Sequence, residues 1–289
     1  MWVRTRAIVA TGLVLVVVAG LGIYFVVRNV GGQLRLPLAS RSCVVQADGQ
    51  VRLNAEQMSH AATIAAIGIR RKMPERAVVV ALATAFQESG LENLPDGDRD
   101  SIGLFQQRPS QGWGTPEQIG DPRYAANKFY AGLKKVRGWE RMRVTDAAQA
   151  VQRSAFPEAY EKWADEAEVL TRALLGDATA AVACTVGRTP AMRGAAAATA
   201  LTEGLLLDWG LPDASTAGLA ELTGLSVSAA DPRAGWRYAH WLVSHAHDHG
   251  VKRVRYADLE WTAGAGTWSK ASDRDRDDTR VVAEVFADV

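Results

Sequence analysis

The chain is poor in the features that most readily betray a function. Its 33 basic and 32 acidic residues leave a formal net charge of +1, so no field of one sign draws it to a polyanion. No basic run is interleaved with aromatics, which removes the usual footprint of a nucleic-acid binder. Cysteine is scarce, with Cys43 and Cys184 alone. No internal repeat appears. The acidic turn Asp96-Gly-Asp98-Arg-Asp100 lacks the spacing and the downstream Glu of a calcium loop. With 48% hydrophobic and 22% charged residues, a packed core is expected and global disorder is not.

What is present begins with one long apolar run. Residues 7–27 carry no charge, with Arg4 and Arg6 before them and Arg28 after. That length spans a bilayer as a helix. A removed signal peptide would have a shorter apolar core and a small-x-small cleavage site. The run exits instead through Phe25-Val-Val-Arg28, so the reading is an uncleaved anchor at 1–28, against a removed signal. The basic residues are nearly balanced across it; the short amino-terminal tail favours leaving the bulk of the chain outside the cell. Residues 29–42, with a Gly pair and Pro37, read as a linker. Outside the cell two cysteines suggest one disulfide, Cys43 to Cys184, tying the ends of the segment between them. Two buried thiols are the alternative.

Helix signals dominate residues 43–185. Asn54 with Gln57 forms a capping-box pattern, and Met58, Ala62, Ala65 and Ile69 follow at helical spacing. Cys43 to Val51 reads as a strand-like lead-in. Pro74 opens a helix that runs to Glu88 and stops at Gly90. On a helical wheel Val78, Leu82, Ala85 and Ser89 share a face. Glu88 lies about 100° away, above the small residues Ala81 and Thr84. Further helices are expected after Asp121-Pro122, from Thr145, and from Pro157 to Leu175. A separate small α/β or α+β domain is expected over 186–289. It has an Ala-rich helix, a helix from Arg233 to His249, a strand over Val251–Trp261, a charged loop at 273–280 and a final strand.

Two stretches carry the chemistry: Phe86-Gln-Glu-Ser-Gly90, and Ser101-Ile-Gly-Leu-Phe-Gln-Gln-Arg-Pro109. Together they resemble the core of lysozyme-like lytic transglycosylases, in which a helix ends in Glu-Ser and a Gly-Leu-(Met or Phe)-Gln run and a Pro follow. Asp121-Pro-Arg-Tyr-Ala-Ala-Asn127 with Gly132-Leu133 is similar to a further helix of that family. The Ala-Tyr-Asn of its third motif is absent here; the comparable region reads Ala150-Val-Gln-Arg-Ser-Ala-Phe-Pro-Glu-Ala-Tyr160. The resemblance covers about half the chain. It implies a mainly α lysozyme-like fold and peptidoglycan glycan strands as the partner. It also implies cleavage of the MurNAc–GlcNAc bond without cofactor or metal.

Glu88 is then the general acid and afterwards the base. Glycosidic cleavage needs a carboxyl that stays protonated near neutral pH, which an apolar setting provides, and Leu104, Phe105 and Trp113 are candidates for that wall. Ser89, Gln106, Gln107, Gln152 and Tyr160 are expected at the sugar. Trp113 is either a stacking platform or a loop anchor. Goose-type lysozymes carry acids just before the matching run, so Asp98 or Asp100 is a candidate for positioning a hydrolytic water; a solvated acidic turn is the plainer reading.

The tail, with Gly235-Trp-Arg-Tyr-Ala-His-Trp-Leu-Val243, looks like a domain found beside such modules in actinobacterial secreted proteins. The terminal histidines of that domain are missing, which leaves it a binding role toward envelope-complex proteins. His240, His245, His247 and His249 lack the pattern of a metal site; a solvent-facing, cation-favouring helix end is expected instead. The rival to an enzyme is an inactive peptidoglycan-binding scaffold.

Overall fold

A computed structural model describes residues 42–187, 189–211, 216–217, 224–272 and 276–288. The chain divides into two units, Met1–Ser40 and Arg41–Val289. The apolar run at 7–27 and nearly all of the linker lie outside the described residues. Among those described, no helix is long and apolar enough to cross a membrane.

The first strands are β1 (Ser42–Gln46) and β2 (Gln50–Asn54). They form an antiparallel hairpin in which Cys43 faces Leu53. Asn54 caps helix α1 (Ala55–Arg70) in the expected capping box. Helix α2 (Glu75–Ser89) follows, entered through Pro74 and closed by Gly90 at φ 65°. Every residue of α2 from Ala77 to Phe86 is buried. The wheel's single apolar stripe is thus too narrow a reading, because α2 is a central helix sheathed on all sides. Around it pack α1, α4 (Pro122–Leu133), α5 (Val144–Gln152) and α6 (Ala164–Leu174). The short helix α3 (Pro116–Ile119) precedes α4. Strand β3 (Val182–Cys184) returns to pair with β1 and places Cys184 opposite Cys43. The two are joined as a disulfide.

The second half holds helices α7 (Gly194–Trp209) and α8 (Pro232–Ser244). Its strands are β4 (Thr216–Ala217), β5 (Gly224–Ser228), β6 (Val251–Ala257), β7 (Leu259–Thr262), β8 (Trp268–Lys270) and β9 (Asp277–Val285). They make one antiparallel sheet in the order β4-β5-β9-β6-β7-β8. Helix α8 lies on β6 and β9, and Gly235 lets it approach so closely that a Cβ would sit 2.0 Å from the Tyr256 ring. On its other side α8 meets α1 and α6, so the segments before and after residue 185 share one apolar core.

This architecture corrects the expected mainly α fold. Among the described residues it is α+β, with antiparallel sheets in both halves. The lead-in at Cys43 is half of a hairpin. The presumed single strand Val251–Trp261 turns at Asp258 into two paired strands. The expected charged loop is in part strand, since β9 begins at Asp277 with four polar residues that lie mostly exposed. There both faces are wet and the period-two signal vanishes.

The histidine expectation is also overturned. His240 and His245 are buried, not solvent-facing. His240 Nε2 accepts from the Ala181 N–H at 2.9 Å, and Nδ1 lies 2.7 Å from the Ala173 carbonyl. That arrangement fixes a neutral ring protonated on Nδ1. Burial pushes its pKa down to about 4 despite the Ala173 bond. The unfolded side chain titrates near 6.5. The stabilisation from the neutral ring is therefore complete above pH 6.5 and is lost as pH falls toward 4. It amounts to about 3 kcal/mol. Denaturant titrations across that window should show this fall. His240→Gln, which keeps a donor and an acceptor, should flatten it; an unchanged slope would contradict the assignment.

Candidate functional site

The last turn of α2 presents Glu88 to a cleft because the chain leaves the helix abruptly there. Gly90 takes the left-handed conformation, its N–H bonding to Phe86, while the Leu91 N–H bonds back to Ala85. The five-residue bond from Gly90 to Phe86 is that of the αL helix cap. It sends the chain into the turn-rich segment 92–101, and Leu91 is buried as the plug. Ser89 Oγ donates to the Leu104 carbonyl at 2.8 Å and is also 3.1 Å from the Ala85 carbonyl. The two sequence motifs are thereby fastened to each other. Ser89 serves as a fastener, and its hydroxyl is committed to that task.

The Ile102–Gln107 run is a tight turn, with a single bridge between those two residues. Leu104 and Phe105 are fully buried, and Phe105 stacks on Phe129 of α4 with ring centroids 4.8 Å apart. They form the base beneath the cleft rather than its exposed wall. The Gln152 amide, at the end of α5, donates to the Phe105 carbonyl at 2.7 Å. Tyr160, buried, donates its hydroxyl to Glu88 Oε1 at 2.6 Å.

A cavity of about 560 Å³ opens over this group. Glu88, Asp98, Gln106, Gln107, Trp113 and Gln152 line it. Burial raises the Glu88 carboxyl above its ordinary range, while hydrogen bonds from Tyr160 and Gln152 pull it down. The carbonyl end of α2 pushes in the same direction as burial, because it disfavours negative charge. The result is a carboxyl held in one orientation, biased toward keeping its proton and facing a groove.

The expected residues divide by what they touch. Gln106 lines the cavity with its amide against the Gly103 carbonyl. Gln107 reaches the cavity but is nearly buried, its amide donating to the Ala125 carbonyl of α4. Trp113 is half-buried and lines both this cavity and an adjoining one with Gly132 and Lys135. Its carbonyl accepts from Tyr124, 3.2 Å away. Platform and anchor are both compatible with that position. The two candidate acids separate. Asp100 accepts from Arg108 at 2.7 Å and from the Ser110 N–H at 2.8 Å. These contacts, the Ser110 bond first, hold its carboxyl well below the usual range. Asp98 stays exposed on the cleft, with a loose 3.8 Å pair to Arg99.

Sequence reasoning missed part of the lining. Arg99, Arg108, Arg153 and Phe156 border the cavity, and Phe156 is 72% exposed. A large apolar side chain in so polar a segment as Gln152–Ala159 was the available signal. Among the described residues no group of three or more His, Cys, Asp or Glu stands ready to hold a metal ion. No protein-family model matches the chain, and no curated protein matches it significantly.

The Tyr160 bond stabilises the ionised form of Glu88, so its removal should raise the Glu88 pKa. For Tyr160→Phe a further rise is expected, read by carbon-13 NMR titration of the glutamate carboxyls with Glu88→Gln as the assignment control. A pKa that falls or stays put would show that the hydroxyl does not tune the acid.

Proposed function

We propose that the protein cleaves the MurNAc–GlcNAc bond of peptidoglycan as a lytic transglycosylase, with Glu88 as the sole catalytic carboxyl. The observation that carries this reading is Glu88 itself: a half-buried acid with its pKa raised, oriented by Tyr160, on the floor of an open groove. The motif resemblance supplies the substrate class. The extracytoplasmic side of a membrane is where this substrate lies, and the uncharged run at 7–27 fits an anchor that keeps the enzyme there. The Cys43–Cys184 disulfide suits an oxidising compartment.

In this mechanism the protonated Glu88 donates to the glycosidic oxygen as the bond to the anomeric carbon breaks. Positive charge builds on the muramyl ring, helped by its N-acetyl oxygen. The Glu88 carboxylate then takes the proton of the muramyl 6-hydroxyl while that oxygen closes on the anomeric carbon. One bond breaks, one forms, the proton is returned, and no water is consumed. A second carboxylate, which most glycosidases use, is not required. Asp100 is a poor candidate for that part, because both of its oxygens are already engaged within the loop. Gln106 offers its amide to the sugar and Trp113 a ring face, while Gln152 holds the Phe105 carbonyl and Glu88 in place. The tail is proposed to carry envelope-protein contacts in addition to its packing role.

The test is incubation of wild type and Glu88→Gln with purified peptidoglycan, followed by mass spectrometry of the released ends. Anhydro-muramyl ends from wild type and a loss of about 10³-fold in the variant are expected. Reducing ends would assign a hydrolase and direct attention to Asp98. No release by folded wild type that still sediments with the wall would replace this reading with a glycan-binding scaffold.

A further inference from the structure

Eight described residues other than glycine have positive φ, and three of them, Arg99 (60°), Gln106 (45°) and Arg153 (54°), line the Glu88 cleft. Side chains with a Cβ seldom adopt this conformation, and glycine holds it without strain. Each of the three positions is a turn or helix end at which glycine would serve the backbone better; Arg153 closes α5. Strain gathered at one groove points to side chains kept for what they contact.

Two of the three are arginines, and neither is committed elsewhere. Arg153 makes no ion pair among the described residues, and Arg99 has only the exposed 3.8 Å pair with its neighbour Asp98. Arg108, by contrast, is held by Asp100. Arg153 borders both adjoining cavities, and Lys135 continues the cationic line along the second. The acids facing this groove are Glu88 and Asp98. Burial biases Glu88 toward its neutral form, so the groove carries surplus positive charge in a protein of nearly neutral balance.

We propose that Arg99 and Arg153 read carboxylates on the substrate, so that the cleft prefers glycan whose muramyl residues still carry their peptide stems over glycan stripped of stems. This deepens the reading of the cleft as a glycan site and rests on it. The guanidinium fork suits carboxylates through paired charge-assisted bonds, and peptide stems supply carboxylates. Anionic polymers attached to the wall could offer phosphate to the same groups, so the test uses polymer-free glycan.

The experiment measures binding of soluble stem-bearing and amidase-stripped glycan oligomers to the full-length protein by calorimetry, at low and high salt. Turnover of both is followed by mass spectrometry. Wild type is expected to bind the stem-bearing form about tenfold more tightly at low salt, with the preference shrinking at high salt. The double variant Arg99→Gly/Arg153→Gly should lose the preference while its melting temperature holds or rises, because glycine relieves both backbones. Arg99→Lys/Arg153→Lys should restore part of the preference. Equal wild-type affinity for the two glycans, or a preference that survives in the glycine variant, overturns the proposal whether or not turnover is seen. Absence of turnover on both glycans overturns the catalytic reading instead and leaves the binding result to decide this one.

Discussion

A helix with no side facing water sets the plan of this molecule. From Ala77 to Phe86, α2 is enclosed, so its own backbone bonds satisfy its polar groups and every side chain must be met by a neighbour. Small residues make the enclosure possible: Ala77, Ala81, Ala83 and Ala85 let α1, α4, α5 and α6 approach closely. Beyond its first residues, the exposed Glu75 and half-buried Arg76, the helix reaches water again only in its last turn. Glu88 is therefore positioned by packing on all sides of the element that carries it, the condition for holding a reacting group to a fraction of an ångström. A carboxyl on a free loop would neither be desolvated nor stay aligned with Tyr160.

The sheath needs its own cover, and the second half of the chain provides it. Asp208, at the end of α7, is fully buried between the halves. Its carboxylate receives Arg123 at 2.5 Å, Thr63 at 2.9 Å and the Trp241 indole at 2.8 Å. Burial pushes its pKa up while Arg123 and the two hydrogen bonds resist. A buried carboxylate with one partner fewer is strongly destabilising, although a complete set adds little net stability. Such a set specifies geometry: α1, α4, α7 and α8 meet in one register or leave a charge stranded. His245 stacks on Trp241 with ring centroids 4.0 Å apart beside this group, and burial keeps it neutral. Protonation of His240 or His245 in acid works against the packing of α8. The tail is thus part of the support for the cleft's scaffold, whatever else binds it.

Much of the site was legible because its signals are local. The Asn54–Gln57 box, the Gly90 stop and the Asp121-Pro122 start each depend on residues within one turn of each other. The two motifs read as one site, and Ser89 does join them through the Leu104 carbonyl. What was not legible depends on distant partners. Thr63 and Asp208 are 145 residues apart, and nothing near either announces the pairing. The strands β3, β4 and β8 were hidden by their shortness, and the start of β9 by its exposed polar residues. The histidines were misread because helix-end position suggests solvent, whereas β3 and α6 cover His240 from a distance in sequence. Arg99 and Arg153 escaped notice because positive φ at arginine leaves no compositional trace, unlike glycine.

The central claim is that residue 88 addresses a glycosidic oxygen from the floor of this cleft. A crystal structure of the Glu88→Gln protein with a peptidoglycan tetrasaccharide tests it most directly. The account predicts a strand lying along the groove between Trp113 and Gln106, with a glycosidic oxygen within hydrogen-bonding distance of the residue-88 amide and Tyr160 still at its back. A strand bound elsewhere, or one in the groove with every glycosidic oxygen beyond the reach of residue 88, would contradict it.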